Sequence, residues 1–185
     1  MSSMRVHFVG IGGSGMSPLA RILIGHGAEV SGSDIRYSPH LEDLAALGAD
    51  VYQGHDPSRI DGVDLVVASA AVPQDDPELQ AAHERGIRVV SRAELLGEIM
   101  RPRRGIAVTG THGKTTTSGM IAHILNEAGL DPTVAVGAGL PWTPSGGHAG
   151  EGEFMVVEAD EAYGSFLKLD PEIAVVTNID DDHRD

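Results

Sequence analysis

A lysine followed by three threonines, set directly after a glycine-punctuated turn, is the part of this chain best suited to chemistry. The stretch Gly105-Ile-Ala-Val-Thr-Gly-Thr-His-Gly-Lys-Thr-Thr-Thr-Ser118 runs from a short apolar segment through Gly110, Thr111, His112 and Gly113 into a helical pattern opened by Lys114, Thr115 and Thr116. Glycines at 110 and 113 let backbone N–H groups turn inward around an anion, and the following helix aims its positive end at the same place. In this pattern Lys114 reaches the β and γ phosphates of a nucleotide such as ATP, and the Thr115 hydroxyl ligates Mg²⁺. The usual motif has a further glycine five residues before Gly113; here that position is Val108, so the loop is a shortened variant.

Two acidic clusters follow apolar runs downstream: Phe154-Met-Val-Val-Glu158 leads into Ala159-Asp160-Glu161, and Ile173-Ala-Val-Val-Thr177 leads into Asn178-Ile-Asp180-Asp181-Asp182-His183. Both lie at the end of the sheet where the phosphate loop sits. Two like charges about 4 Å apart repel by roughly 4 kcal/mol at an effective dielectric near 20, so carboxylates beside a triphosphate call for a cation. Mg²⁺ prefers oxygen ligands and binds through one or two carboxylates plus phosphates. Glu158 is the candidate ligand, with Asp160 and Glu161 in outer or structural roles. His183 either holds a second metal or faces solvent.

A second glycine run, Gly10-Ile-Gly12-Gly13-Ser14-Gly15, follows the apolar segment Val6 to Val9 and fits Gly-x-Gly-x-x-Gly. Asp34 stands about 20 residues further on, the spacing at which a dinucleotide fold places the carboxylate that takes a ribose hydroxyl. Ser69 and Ala70 belong to the same crevice if the strands are parallel. His55 falls there too, and reads as a loop histidine before a contact.

The elements that must position these groups alternate. Strands are expected at Val6 to Val9, Ala28 to Gly32, Ala49 to Gln53, Asp64 to Ser69 and Ile87 to Val90. Helices follow the glycine run, Pro39, Pro77 and Ala93, with Gly48 and Gly86 as stop signals. Strands alternating with helices predict a parallel, doubly wound sheet with ligands beyond the carboxyl ends of its strands. The basic, Pro-containing cluster Arg101 to Arg104 marks a boundary between residues 1–101, a Rossmann-like domain, and residues 105–185, the start of a P-loop α/β domain. In the second domain a helix is expected from Thr115 to Ala128, strands at Ile106 to Thr109, Thr133 to Val136, Phe154 to Glu158 and Ile173 to Thr177, and an irregular Gly/Pro-rich excursion from Gly137 to Gly152.

Composition narrows the setting. A formal net charge of -14 opposes nucleic-acid binding, where clustered Lys and Arg are rewarded. The absence of cysteine excludes disulfides and thiolate chemistry. The N-terminus leaves no room for a signal peptide and no apolar run reaches the length of a membrane span, so the expected setting is the cytoplasm.

Taken together, Gly10-Ile-Gly-Gly-Ser-Gly-Met16, Ser31-Gly-Ser-Asp34, Ser91-Arg-Ala-Glu94, Gly110-Thr-His-Gly-Lys-Thr-Thr-Thr117, Glu158-Ala-Asp-Glu161 and Thr177-Asn-Ile179 with Asp182-His183 resemble the Mur ligases. The resemblance covers essentially the whole chain, and within the family the His112 form of the loop points to the branch that joins L-alanine to UDP-N-acetylmuramate and to its murein-recycling relative. It implies that ATP phosphorylates the muramoyl carboxylate and that the amine of L-alanine displaces phosphate. It also implies that Lys114 neutralises the transferring phosphoryl group, that Thr115 and Glu158 hold Mg²⁺, and that His183 takes a second metal. Gly10, Gly12, Gly13, Ser14, Gly15, Asp34 and Ser69 would bind the UDP moiety. The chain departs from the family where Ala162-Tyr163 replaces the usual Ser-Asp, and family members are more than twice as long. The resemblance therefore implies an N-terminal portion without ligase activity of its own. Three other functions compete: a murein peptide ligase, an NAD-dependent oxidoreductase and a non-catalytic nucleotide-binding remnant.

Overall fold

A computed structural model describes residues 3–159 and 166–180 of the chain. Its contacts divide it into two compact units, Met1–Arg92 and Ala93–Asp185.

In the first unit, strands β1 (Arg5–Val9), β2 (Glu29–Asp34), β3 (Asp50–Gln53), β4 (Leu65–Ala68) and β5 (Arg88–Ser91) form one sheet in the order β3-β2-β1-β4-β5. Every pairing is parallel, as the alternating pattern predicts. The crossovers are helices α1 (Met16–Gly25), α2 (Pro39–Ala46) and α3 (Pro77–Glu84), with a short 3₁₀ turn at Pro57–Ile60. Pro39 and Pro77 open their helices, where a missing N–H costs nothing. Gly48, at φ 94°, supplies the left-handed residue just past α2.

Because β1 lies between two strands under helices on both faces, Val6, Phe8 and Val9 are fully buried. Val9 and Val66 pack with Ile60, Leu79 and Ala82 into one apolar cluster. That layer also contains polar groups: His7, Ser33 and Glu78 are 0 % exposed.

The second unit's sheet has the order β10-β6-β9-β7-β8, built from β6 (Arg104–Thr109), β7 (Thr133–Ala135), β8 (Gly147–His148), β9 (Phe154–Glu158) and β10 (Ile173–Val176). All its pairings are parallel except β7 with β8. Helix α5 (Lys114–Glu127) packs on β6 and β9. Helix α4 (Arg92–Met100) lies almost wholly in this unit, its Met100 buried against Gly105, where a Cβ would come within 2.6 Å of the thioether.

The excursion between Gly137 and Gly152 is more ordered than its composition suggests. It returns as β8, antiparallel to β7, and Thr133 Oγ1 donates to Gly150 O at 3.1 Å. Gly150 and Gly152 sit so close to the backbone of Leu130 to Pro132 that a side chain at either would overlap it. Here the glycines serve close approach, which composition alone does not distinguish from flexibility. Among the described residues, no helix is long and apolar enough to cross a membrane.

Candidate functional site

The phosphate loop joins β6 to α5. Gly110 has φ +126° and Gly113, the N-cap of α5, has φ +82°, so both glycines hold backbone that L side chains rarely adopt. The first intrahelical bond of α5 runs from Thr117 N to Gly113 O. The amides of Lys114, Thr115 and Thr116 therefore have no acceptor within the helix and point out of its positive end. Lys114 Nζ donates to Gly110 O at 2.8 Å, which folds the ammonium group back over the loop.

One strand over, Glu158 ends β9 with its carboxylate facing the loop. Its Oε1 accepts from Thr115 Oγ1 at 2.8 Å and its Oε2 from Gly137 N at 2.7 Å. Two neighbouring ligands of an octahedral Mg²⁺, each about 2.0–2.1 Å from the ion, lie about 2.9 Å apart. The threonine and glutamate oxygens already stand at that separation, and the chemistry of the pair, one hydroxyl and one carboxylate, suits a hard cation. A cavity of about 370 Å³ adjoins Thr115, lined also by Thr116, Met120, His123 and Leu140.

On the other side, the segment leaving β10 clamps the loop. Thr177 Oγ1 and Asn178 Nδ2 donate to His112 O at 2.6 and 2.9 Å, Asn178 Oδ1 accepts from His112 N at 3.0 Å, and Asp180 N donates to Thr111 Oγ1 at 3.0 Å. Asp160, Glu161, Ala162, Tyr163, Asp182 and His183 lie outside the described residues.

The N-terminal glycine loop joins β1 to α1. Gly10 N and Ile11 N donate to Ser33 O at 2.8 and 3.0 Å, and Gly12 N donates to Asp34 Oδ2 at 2.9 Å. Asp34 thus braces the loop, with its Oδ1 taking the Arg36 amide. Gly10, at φ +85°, lies against Ser69, whose Cβ would be 2.9 Å from any Cβ at Gly10. Gly13 N bonds Gly10 O at 3.3 Å, Ser14 is exposed, and Gly15 caps α1.

Two features escape sequence reasoning. Arg92, first residue of α4, rests its guanidinium on Gly15, where a Cβ would overlap it. Its motif was visible, but its place by the loop depends on β5 returning to the same end of the sheet. The second feature is a buried polar cluster around Glu78. Ser33 Oγ donates to Glu78 Oε2 at 2.5 Å, Asp56 N donates to Oε1 at 3.0 Å, and Tyr52 OH donates to Oε1. His55 turns inward, its Nδ1 3.1 Å from Glu78 Oε2 and 3.2 Å from Asp76 Oδ2. Burial pushes the Glu78 carboxyl up, but bonds from His7, Ser33, Tyr52 and the Asp56 amide outweigh it and hold the group at about 2. The same burial, with the Glu78 hydrogen bond, raises the Tyr52 hydroxyl. His55, Asp76 and Glu78 bring ligand-type atoms within 4.8 Å of one another. Donor groups already engage both Glu78 oxygens, so hydrogen bonding accounts for the cluster.

Comparison with known proteins matches both parts of the chain to one family. Residues 5–104 match the Mur ligase family, catalytic domain, and residues 108–185 match the Mur ligase middle domain. A UDP-N-acetylmuramate--L-alanine ligase of Geotalea daltonii is 53% identical over 98% of this chain and 40% of its own length. The crystal structure of UDP-N-acetylmuramate-alanine ligase from Thermotoga maritima matches with TM-score 0.89 at 34% identity, over 97% of this chain and 42% of that one. A UDP-N-acetylmuramate:L-alanyl-gamma-D-glutamyl-meso-diaminopimelate ligase of Neisseria meningitides matches with TM-score 0.85 at 34% identity, over 100% of this chain and 63% of that one. The chain spans about two fifths of the length of the curated relatives it matches.

Proposed function

Because the chain belongs to the Mur ligase family, we propose that it carries the UDP-sugar-binding unit and the phosphate loop of an ATP-dependent ligase joining L-alanine to UDP-N-acetylmuramate. The observation that carries this reading is the Thr115 hydroxyl, 2.8 Å from the Glu158 carboxylate, beside a lysine and a left-handed glycine at a helix N-terminus. A glycine turn that bound no nucleotide would have no use for that pairing.

The reaction has two steps. A carboxylate oxygen of the muramoyl group attacks the γ-phosphorus of ATP; the bond to the bridging oxygen breaks, leaving ADP and an acyl phosphate. The amine of L-alanine then attacks the acyl carbon, phosphate departs, and the nitrogen loses its proton as the amide forms. Lys114 and the amides of Lys114, Thr115 and Thr116 hold the β and γ phosphates and stabilise charge that grows on the transferring group. Thr115 and Glu158 would hold Mg²⁺, which supplies the positive charge that lets a carboxylate stand beside a triphosphate. In residues 1–92, the end of the Gly10–Gly15 loop where it opens α1, at Ser14 and Gly15, takes the diphosphate of the UDP-sugar with Ser69 and Arg92, and Asp34 lies at the ribose position.

Thermal melting with UDP-N-acetylmuramate, Mg-ATP and NAD, each added separately, tests this reading. A ligand at ~100 times its Kd stabilises by about 2.7 kcal/mol, or roughly 5 to 10 °C for a chain of this size. The UDP-sugar should give that shift, and NAD should give none. A larger shift with NAD than with the UDP-sugar would return the N-terminal loop to dinucleotide chemistry. The likeness to the Neisseria ligase, whose name specifies an L-alanyl-gamma-D-glutamyl-meso-diaminopimelate unit, supports a second reading, in which the amine comes from a peptide. The 53% identity to an L-alanine ligase favours free alanine. Competition between alanine and peptide in a full-length enzyme containing this chain separates the two.

A further inference from the structure

A carboxylate in an apolar core is a costly component, and replacing buried charge with apolar residues is often neutral or stabilising. Glu78 is 0 % exposed, yet its bonds run to the end of the sheet that carries the glycine loop. It is not needed to cap α3, because Asp76 Oδ1 already accepts from Glu78 N and Leu79 N at 2.9 and 3.3 Å. Its Oε2 takes the Ser33 hydroxyl, and the carbonyl of that same residue takes the amides of Gly10 and Ile11. The next residue, Asp34, takes the Gly12 amide on its carboxylate and the Gly54 amide, at 2.9 Å, on its carbonyl. Through Oε1, Glu78 also holds Asp56, two residues beyond Gly54. The last two residues of β2 are thus fixed from the glycine-loop side and from the Gly54–Asp56 side, with one buried carboxylate fastening both.

We infer that Glu78 is a positioning residue for the loop that receives the diphosphate, acting through Ser33 to fix the two carbonyl and carboxylate acceptors on which Gly10, Ile11 and Gly12 hang. The inference rests on the reading of residues 1–92 as a UDP-sugar-binding unit. Glu78 touches no ligand in this scheme. Its part is to prevent the loop amides from drifting out of the arrangement that an anion needs.

The test is UDP affinity by calorimetry on the 185-residue chain. Ser33→Ala removes the charge-assisted hydrogen bond to Glu78, along with the longer 3.3 Å contact to His55 Nδ1, and should weaken UDP about tenfold, while the melting temperature of the ligand-free protein moves by only a few degrees. Glu78→Gln should weaken UDP comparably, and in the Ser33→Ala background it should add little, because the two act along one path. Tyr52→Phe is the control for mere destabilisation: it removes a bond to the other Glu78 oxygen and leaves the Ser33 hydroxyl on Oε2 in place, and should leave UDP affinity within about twofold. Should Glu78→Gln fail to fold, Ser33→Ala against Tyr52→Phe still decides. Unchanged affinity in Ser33→Ala, or equal losses in Ser33→Ala and Tyr52→Phe, overturns the inference and leaves the binding reading standing. No UDP binding by the wild-type chain overturns both.

Discussion

The two glycine loops solve one backbone problem and differ in what is added to it. Each follows a parallel strand that has neighbours on both sides, β1 or β6, and each opens a helix, α1 or α5. Each also has a carboxylate one strand away, Asp34 at the end of β2 or Glu158 at the end of β9. At the first loop the carboxylate accepts a main-chain amide, Gly12 N; at the second it accepts a side-chain hydroxyl, Thr115 Oγ1. An acid that braces the backbone makes a holder, whereas an acid that shares a cation ligand set makes a site where charge can move. On the function proposed above, three side chains, Lys114, Thr115 and Glu158, carry the difference between holding a diphosphate and transferring a phosphoryl group.

The largest expected effect removes that difference directly. Lys114→Met in a full-length enzyme should lower kcat for ADP release by about 10² to 10³, the usual consequence of losing one preorganised donor at a phosphoryl or oxyanion site. The thermal shift with UDP-N-acetylmuramate should stay as it was. If both ligands lose their effect together, the two loops are not the separate devices described above.

Backbone demands differ as well. Gly110→Ala needs φ +126° from an L residue and drives a Cβ into Thr177 Oγ1 and the backbone of Asn178. Urea unfolding should show about 2 to 4 kcal/mol lost. Gly12 does not lie in the left-handed region, and a Cβ there meets only the ends of two side chains, Ser38 Oγ at 2.8 Å and Asp34 Oδ2 at 3.0 Å. Gly12→Ala should therefore cost about 1 kcal/mol and appear mainly as weaker UDP binding, through the displaced Asp34. Equal destabilisation by the two substitutions would erase the contrast.

Sequence shows the loops because their chemistry is local. Gly-x-Gly-x-x-Gly and Gly-Lys-Thr each sit on a single strand, turn and helix, and hydrophobic runs fix those elements to within a few residues. Asp34 and Glu158 are visible for the same reason, each ending a strand beside its loop. What stays hidden depends on long-range closure. Glu78 looks like an ordinary acidic residue in the first turn of a helix, and only the packing of α3 on the sheet turns it onto Ser33, 45 positions away in the chain. Arg92 likewise reaches Gly15 through the sheet, and the clamp from Thr177 and Asn178 spans 65 or more positions. Strand β8 leaves no trace in the sequence, because two residues among glycines carry no alternation to read.

Acid exposes the cost of that hidden anchor. The folded-state value of Glu78, about 2, lies below its ordinary 4.5. Its stabilisation is therefore complete above pH 4.5 and is lost as pH falls from there toward 2, on the order of 3 kcal/mol in all. Melting temperature should drop steeply across that window, and Glu78→Gln should flatten the drop. An unchanged slope in the variant would mean that the acid sensitivity comes from other carboxylates.

The smallest effect concerns how Glu158 is itself held. Asp34 is braced by the loop it serves, but Glu158 Oε2 takes the amide of Gly137, where the chain turns out toward β8. The far end of that excursion is pinned by His148 Nε2 and Asp131 Oδ1 at 2.9 Å, with the Glu151 amide on Oδ2 at 2.8 Å. The His148 bond, then that amide, hold the Asp131 carboxyl below its ordinary 3.8, so the pair stabilises above that value and its contribution fades as pH falls through the lowered one. Both side chains are about a third to a half exposed, and such a pair is worth less than about 1 kcal/mol. His148→Gln should thus change stability little. Trp142, the chain's one tryptophan, packs edge-on to His148 with centroids 5.2 Å apart, so its fluorescence should report the substitution clearly. Mg-ATP affinity should move by less than about twofold, since Gly137 stays paired to Val157's neighbour Glu158 through its own amide. A large loss of Mg-ATP binding in His148→Gln would show instead that the second loop's carboxylate is set by the whole excursion, and that the two loops differ in how far their bracing extends as well as in their chemistry.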